Sequence, residues 1–160
     1  MAFDDSKRPL IVSDRGGVRG LSSLLMLQSF MKRIDPVSPP KPYDYSDMIG
    51  GTSTGGLIAI MLGRLQMDIK FCIAAYRHLS DKVFRKVAHR ISIKCMGETQ
   101  GRFDACALED AMKEMIVKAK LDLNVKLMGQ SSPRCKVFVC ATRAENCDIT
   151  HFRSYHSFCL

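Results

Sequence analysis

The 160-residue chain is 46% hydrophobic and 25% charged and carries a formal net charge of +8, which is the composition of one globular domain or part of one. No apolar run approaches the ~20 residues needed to span a bilayer, and the polar, acid-bearing start Met1–Arg8 is unlike a secretory leader. Seven irregularly spaced cysteines without a C-x-x-C pair read as free thiols in a reducing cytosol, so no zinc site, other metal or cofactor is expected.

The predicted elements begin with a short apolar run, Pro9–Ser13, that ends at Asp14 and reads as a buried strand. Leu21–Ile34 has helical spacing, with Leu21, Leu24, Leu25, Phe30 and Met31 expected on one side and Gln28, Lys32 and Arg33 on the other. Asp35-Pro36 and the proline-rich run Ser38–Pro42 stop that helix in a loop. A second short strand is expected at Asp47–Gly50, followed by a helix over Gly55–Leu65 that is apolar nearly all round and therefore buried.

Asp68–Val83 reads as an amphipathic helix carrying Ile69, Cys72, Ile73, Tyr76 and Leu79. The pattern is weak over His89–Arg102, where a loop is expected. Asp104 is the expected N-cap of a helix through Ala119 that carries Leu108, Met112, Met115 and Ile116. After a loop at Gly129–Pro133, the β-branched run Lys136–Thr142 is the clearest strand. A last strand, Ile149–Tyr155, follows a turn at Glu145–Asp148. Strands alternating with helices imply an α/β fold, with a parallel or mixed sheet and helices on both faces.

Two glycine-rich turns carry the chemistry. Gly51-Thr52-Ser53-Thr54-Gly55 is a G-x-S-x-G pattern between an expected strand and an expected helix. Such a turn holds a serine hydroxyl clear of the backbone, ready to attack a carbonyl, and small neighbours permit the close approach. The plainer alternative is an ordinary strand-to-helix turn with Ser53 as N-cap. Upstream, Asp14-Arg15-Gly16-Gly17-Val18-Arg19-Gly20 precedes a helix whose first N–H groups lack intrahelical partners and suit an oxyanion or a lipid phosphate. Arg15 breaks a dinucleotide-binding G-x-G-x-x-G, and no G-K-[ST] follows either cluster.

In order, these residues give a strand, D-x-G-G-x-R-G, a helix beginning Leu21-Ser22-Ser23-Leu24, and then Asp47-x-Ile49-x-Gly51-Thr52-Ser53-Thr54-Gly55-Gly56. The arrangement resembles the patatin-like phospholipase family over Leu10–Leu65. Gly101-Arg102-Phe103-Asp104 and the strand around Val137 are similar to its fungal-type members. The resemblance implies a three-layer α/β/α fold around a mostly parallel sheet, and lipid acyl hydrolysis by a Ser-Asp dyad. Ser53 then takes the place of the nucleophile, and the N–H groups around Gly16 and Gly17 that of the oxyanion hole. Arg19 takes that of the family's loop arginine, which steadies the loop or a phosphate, ahead of Gly20.

Two positions depart from the family pattern. Arg15 stands where the family has glycine, and if that position needs φ > 0 it is strained by about 1–2 kcal/mol. The chain also has no Asp-Gly dipeptide, whereas the family's dyad Asp lies in D-G-G or D-G-A on a later strand. Residues 1–160 are therefore expected to form an incomplete, C-terminally truncated patatin-like domain, weak or inert by itself.

The sequence offers other candidate bases. Asp148, His151 and His156 follow Ser53 in α/β-hydrolase order, but one hairpin places them poorly for a triad. His78 and His89 sit on or near a basic stretch, Lys82, Arg85, Lys86, Arg90 and Lys94. That stretch suits an anionic membrane surface or a solvated helix face, and no nucleic-acid motif accompanies it. The expected partners are a lipid or phospholipid ester and, peripherally, an anionic membrane. The alternative function is a non-catalytic lipid- or partner-binding module of a larger receptor-like signalling protein.

Overall fold

The computed structural model describes residues 9–13, 19–84, 105–129, 134–143, 146 and 148–156. The chain divides into two compact units, Met1–Ile73 with Lys126–Leu160, and Ala74–Val125.

The first unit holds a sheet of four strands among the described residues, β1 (Leu10–Ser13), β2 (Met48–Thr52), β3 (Lys136–Thr142) and β4 (Ile149–Arg153), in that spatial order. β1, β2 and β3 are parallel, and β4 returns antiparallel to β3. The mostly parallel sheet and its helices make this an α/β fold, as expected.

β1 leads to α1 (Gly20–Ile34), which buries Leu24 and Met31. Leu25 and Phe30, expected on the same side, instead stay 41% and 48% exposed. The apolar side read from the sequence is thus broader than the stripe α1 buries. α1 stops at Asp35, whose Oδ1 accepts the N–H groups of Val37 and Ser38 at 2.9 Å, and Pro36 cannot continue the helix. The loop expected through Pro42 instead closes on a single helical turn, α2 (Pro42–Tyr45), with proline at its start, where the missing N–H costs nothing.

β2 continues two residues past its expected end. Gly51 and Thr52, read from the sequence as part of the serine turn, lie in the strand. α3 (Thr54–Ala59) follows, then a π-helical turn over Ile60–Arg64. The expected single α-helix over 55–65 therefore widens in its second half, where the Leu65 N–H reaches back five residues to the Ile60 carbonyl at 2.9 Å. The burial expectation holds, since Ile58, Ala59, Met61 and Leu62 are all buried. These elements cover the sheet face that carries Ile49, Gly51, Val137 and Val139. A Cβ on Gly56 would lie 2.6 Å from Val139 Cγ1. After the π turn the Arg64 guanidinium donates to the Lys126 and Leu127 carbonyls at 3.0–3.2 Å.

α4 (Ile69–Phe84) buries Ile69, Cys72, Ile73, Tyr76 and Leu79, the five residues its spacing marks. In the second unit, α5 (Ala105–Lys118) buries Ala111 and Met115. Lys82 pairs with Glu114 at 2.8 Å and so draws its carboxyl below the usual carboxylate range. Lys113 does the same for Glu109, one turn away at 2.7 Å. The expected loop over 89–102, the N-cap Asp104, and the basic residues Arg85, Lys86, His89, Arg90 and Lys94 lie outside the described residues.

β3 spans its expected residues. β4 ends two residues early because the chain turns in at Ser154. That residue's Oγ accepts the Val137 N–H at 2.8 Å, and its own N–H donates to the Val137 carbonyl at 2.9 Å. The Arg143 N–H closes the β3–β4 connection on the Asp148 carbonyl at 2.9 Å.

Candidate active site

Parallel strands send their following loops to the same rim of a sheet, and ligands of open α/β sheets bind outside the carboxyl ends of the strands. Here β1 ends at Ser13, in register with Gly51, and Thr52 is in register with Cys140. The carboxyl end of β1, the turn after β2 and the Cys140 stretch of β3 therefore lie side by side.

Ser53 sits between β2 and α3 with φ 54° and ψ −127°. This is a left-handed backbone that non-glycine residues adopt only where the surroundings enforce it, at a cost of about 1–3 kcal/mol. The residue is exposed. Its carbonyl opens α3 by accepting the N–H groups of Gly56 and Leu57 at 3.0 and 3.4 Å, while its side chain makes no capping hydrogen bond. The N-cap alternative therefore fails on geometry, because the hydroxyl is left to the rim and not tied to the helix.

Close backbone contact enforces the conformation. A Cβ on Gly51 would stand 2.5 Å from the Gly55 carbonyl carbon and 2.6 Å from the Ser13 oxygen, and one on Gly55 would collide with that same Ser13 oxygen. Ends of β1 and β2 and the first turn of α3 thus meet with no room for side chains, which accounts for both glycines of the motif. Thr54 is 6% exposed, and its Oγ1, like Ser13 Oγ, is buried without a hydrogen-bond partner among the described residues. Ser13 was not singled out by the sequence. Only its position at the end of an apolar run before the glycine turn hinted that it would abut the serine turn.

Of the upstream loop, Gly16, Gly17 and Arg15 lie outside the described residues. Arg19 is exposed and precedes α1 in a helical conformation, and Gly20 is its buried first residue.

The alternative bases separate in space. Asp148 turns into its own hairpin, where it accepts the Asn146 side-chain amide, and the Asp148 N–H donates to Asn146 Oδ1 at 3.2 Å. His151 is in register with Cys140 on the far strand, about 10 Å of backbone spacing from Thr52. His156 follows Ser154 at the amino end of β3, the opposite rim from Ser53. A Ser-Asp-His triad drawn from these residues does not assemble.

Among the four described cysteines, all free, two are buried. Burial pushes the Cys72 thiol up to about 12, and burial with the nearby Asp47 carboxylate pushes the Cys135 thiol up to about 11. No helix among the described residues is long and apolar enough to cross a membrane.

Comparison with known proteins gives a family and several relatives. The sequence profile of the patatin-like phospholipase family matches residues 12–156. The chain is 28% identical to human calcium-independent phospholipase A2-gamma over 149 residues, 91% of this chain and 18% of that protein. It is 36% identical to phospholipase A I of Arabidopsis thaliana over 75 residues, 47% of this chain and 5% of that protein. It is also 38% identical to patatin-like protein 4 of the same plant over 80 residues, 44% of this chain and 20% of that protein. The chain thus spans a fifth or less of the length of these relatives, and none of the three is fungal. A match over 145 of 160 residues, with the serine turn built as described, makes the chain a member of the patatin-like phospholipase family.

Proposed function

We propose that this chain carries the nucleophile half of a lipid acyl hydrolase. Its carrying observation is Ser53, exposed and held at φ 54° by backbone packed on backbone. In this reading Ser53 Oγ attacks the ester carbonyl carbon while a base takes its proton, and N–H groups of the Gly16–Gly17 loop stabilise the resulting oxyanion. The alcohol then leaves, and water hydrolyses the acyl-serine. The parallel register supports that oxyanion assignment, because the chain enters the loop directly from Ser13, which touches the serine turn. Arg19 and Gly20 follow the loop in sequence, and Arg19 is read as steadying it or a substrate phosphate. Substrates are lipid or phospholipid esters, met at a membrane surface by a cytoplasmic protein. Residues 1–160 are read as part of a single patatin-like domain.

The decisive experiment is covalent. A fluorophosphonate probe is expected to label Ser53, with labelling lost in Ser53→Ala and mapped by mass spectrometry to the Gly51–Gly55 peptide. Labelling that persists in Ser53→Ala overturns the assignment.

One observation favours a second reading. The sequence contains no Asp-Gly dipeptide to supply the dyad carboxylate, which suits a non-catalytic lipid- or partner-binding module within a larger receptor-like protein. Binding to anionic vesicles with no Ser53 labelling would select it.

A further inference from the structure

At the rim opposite Ser53, a cavity of about 120 Å³ opens beside the amino end of β3. Its lining includes Tyr43 of α2, Gly63 and Arg64 of the π turn, Gln66, Val137 and Ser154. The backbone departs from regular helix twice here, in the π turn over Ile60–Arg64 and at Gln66, whose φ is 51°. Both kinds of departure recur at functional positions. Gly63 lets the turn close on the sheet, since a Cβ there would stand 2.4 Å from Val137 Cγ2.

The polar groups of the lining are donors with capacity to spare. Arg64 is fixed by Nε and Nη2 on the Lys126 and Leu127 carbonyls, and its Nη1 has no hydrogen-bond partner among the described residues. Ser154 is only 3% exposed, and its Oγ accepts the Val137 N–H. Its own O–H proton has no acceptor among the described residues, and a buried hydroxyl in that state calls for one. The Tyr43 hydroxyl and the Gln66 amide are likewise without hydrogen bonds among the described residues. No acidic side chain lines the cavity, and the Asp47 carboxylate that acts on the Cys135 thiol lies outside the lining. Lys126, Arg134 and Lys136, all exposed, flank these segments in sequence and favour an anion.

We propose that this cavity binds a small phosphate-type oxyanion, with Arg64 supplying the charge and Ser154, Tyr43 and Gln66 supplying further hydrogen-bond donors. Four donor groups from four segments match the four oxygens of a phosphate, where a carboxylate offers two. The space has room for about four waters, enough for such a group and too little for an acyl chain. Inorganic phosphate and the phosphomonoester of a lipid headgroup share this chemistry. The inference stands apart from the chemistry assigned to Ser53.

The test is titration of the intact chain with inorganic phosphate, glycerol 3-phosphate and acetate at constant ionic strength, followed by amide and side-chain NMR. Saturable phosphate shifts are expected at Gln66, Leu127 and Ser154, with acetate about tenfold weaker. Tighter binding of glycerol 3-phosphate assigns the site to headgroups, and tighter binding of the inorganic ion assigns it to free phosphate. Arg64→Lys is expected to weaken binding about tenfold. Because Arg64 also braces two carbonyls, Tyr43→Phe and Gln66→Gly serve as second variants, each expected to weaken it about threefold or more; glycine suits the left-handed backbone at position 66. Shifts that never saturate, acetate binding as tightly as phosphate, or unchanged affinity in the folded variants overturns the proposal.

Discussion

At the scale of single residues, Ser53 combines a demanding backbone with a free hydroxyl. Replacing it by alanine removes the hydroxyl and keeps the strain. Replacing it by glycine removes both. Ser53→Gly is therefore expected to be more stable than Ser53→Ala by about 1 kcal/mol, the relieved strain less glycine's larger unfolded-state entropy, as read from urea unfolding midpoints. Cys72 gives a second prediction. Its thiol is held near 12 by burial, whereas in the unfolded chain it ionises near 8.5. The folded state therefore keeps a proton that the unfolded state has lost, and stability falls by about 1.4 kcal/mol per pH unit between those values. The contribution is whole below pH 8.5 and gone above 12. A pH series of melts is expected to show this alkaline slope, shallower in Cys72→Ala.

At the scale of elements, strand-to-helix packing depends on what each glycine faces. Gly55 faces the Ser13 carbonyl, a backbone atom that cannot step aside. Gly55→Ala is expected to cost about 3 kcal/mol. Gly50 faces the ring of Phe138 on the neighbouring strand, which can move or be trimmed. Gly50→Ala is expected to cost only about 1 kcal/mol, with much of it recovered alongside Phe138→Leu in a double-mutant cycle. The same distinction shows what the sequence could disclose. β3 was legible to its end residues because a β-branched apolar run has one reading. α4 was legible because five apolar residues keep helical phase and all are buried. Gly51 reads as part of the serine turn because one reason for its being small, the Ser13 carbonyl on β1, lies far off in sequence. The π turn over Ile60–Arg64 leaves no local mark on a stretch that reads as one continuous apolar helix. Of the site, the serine turn was readable from its five residues. The role of Ser13 needed the strand register.

At the scale of the whole molecule, the nucleophile and the oxyanion loop are proposed within this chain, whereas no Asp-Gly pair is present. Losing the base of such a unit costs several powers of ten in turnover. The 160-residue chain alone is accordingly expected to hydrolyse phospholipid or nitrophenyl esters only slightly above background, with the residue abolished by Ser53→Ala. Robust Ser53-dependent turnover would mean that a base other than the expected Asp operates. The net charge of +8 predicts salt-sensitive association with anionic vesicles and none with neutral ones, measured by flotation.

The carbonyl of Ser13 dictates the glycine at position 55, whatever reaction the rim performs. Descendants of this chain that lost the proposed catalysis would keep both glycines of the signature for architectural reasons and be free to drift at the position between them. In surveys of such sequences, the glycines would then count lineage, and the central letter alone would count activity.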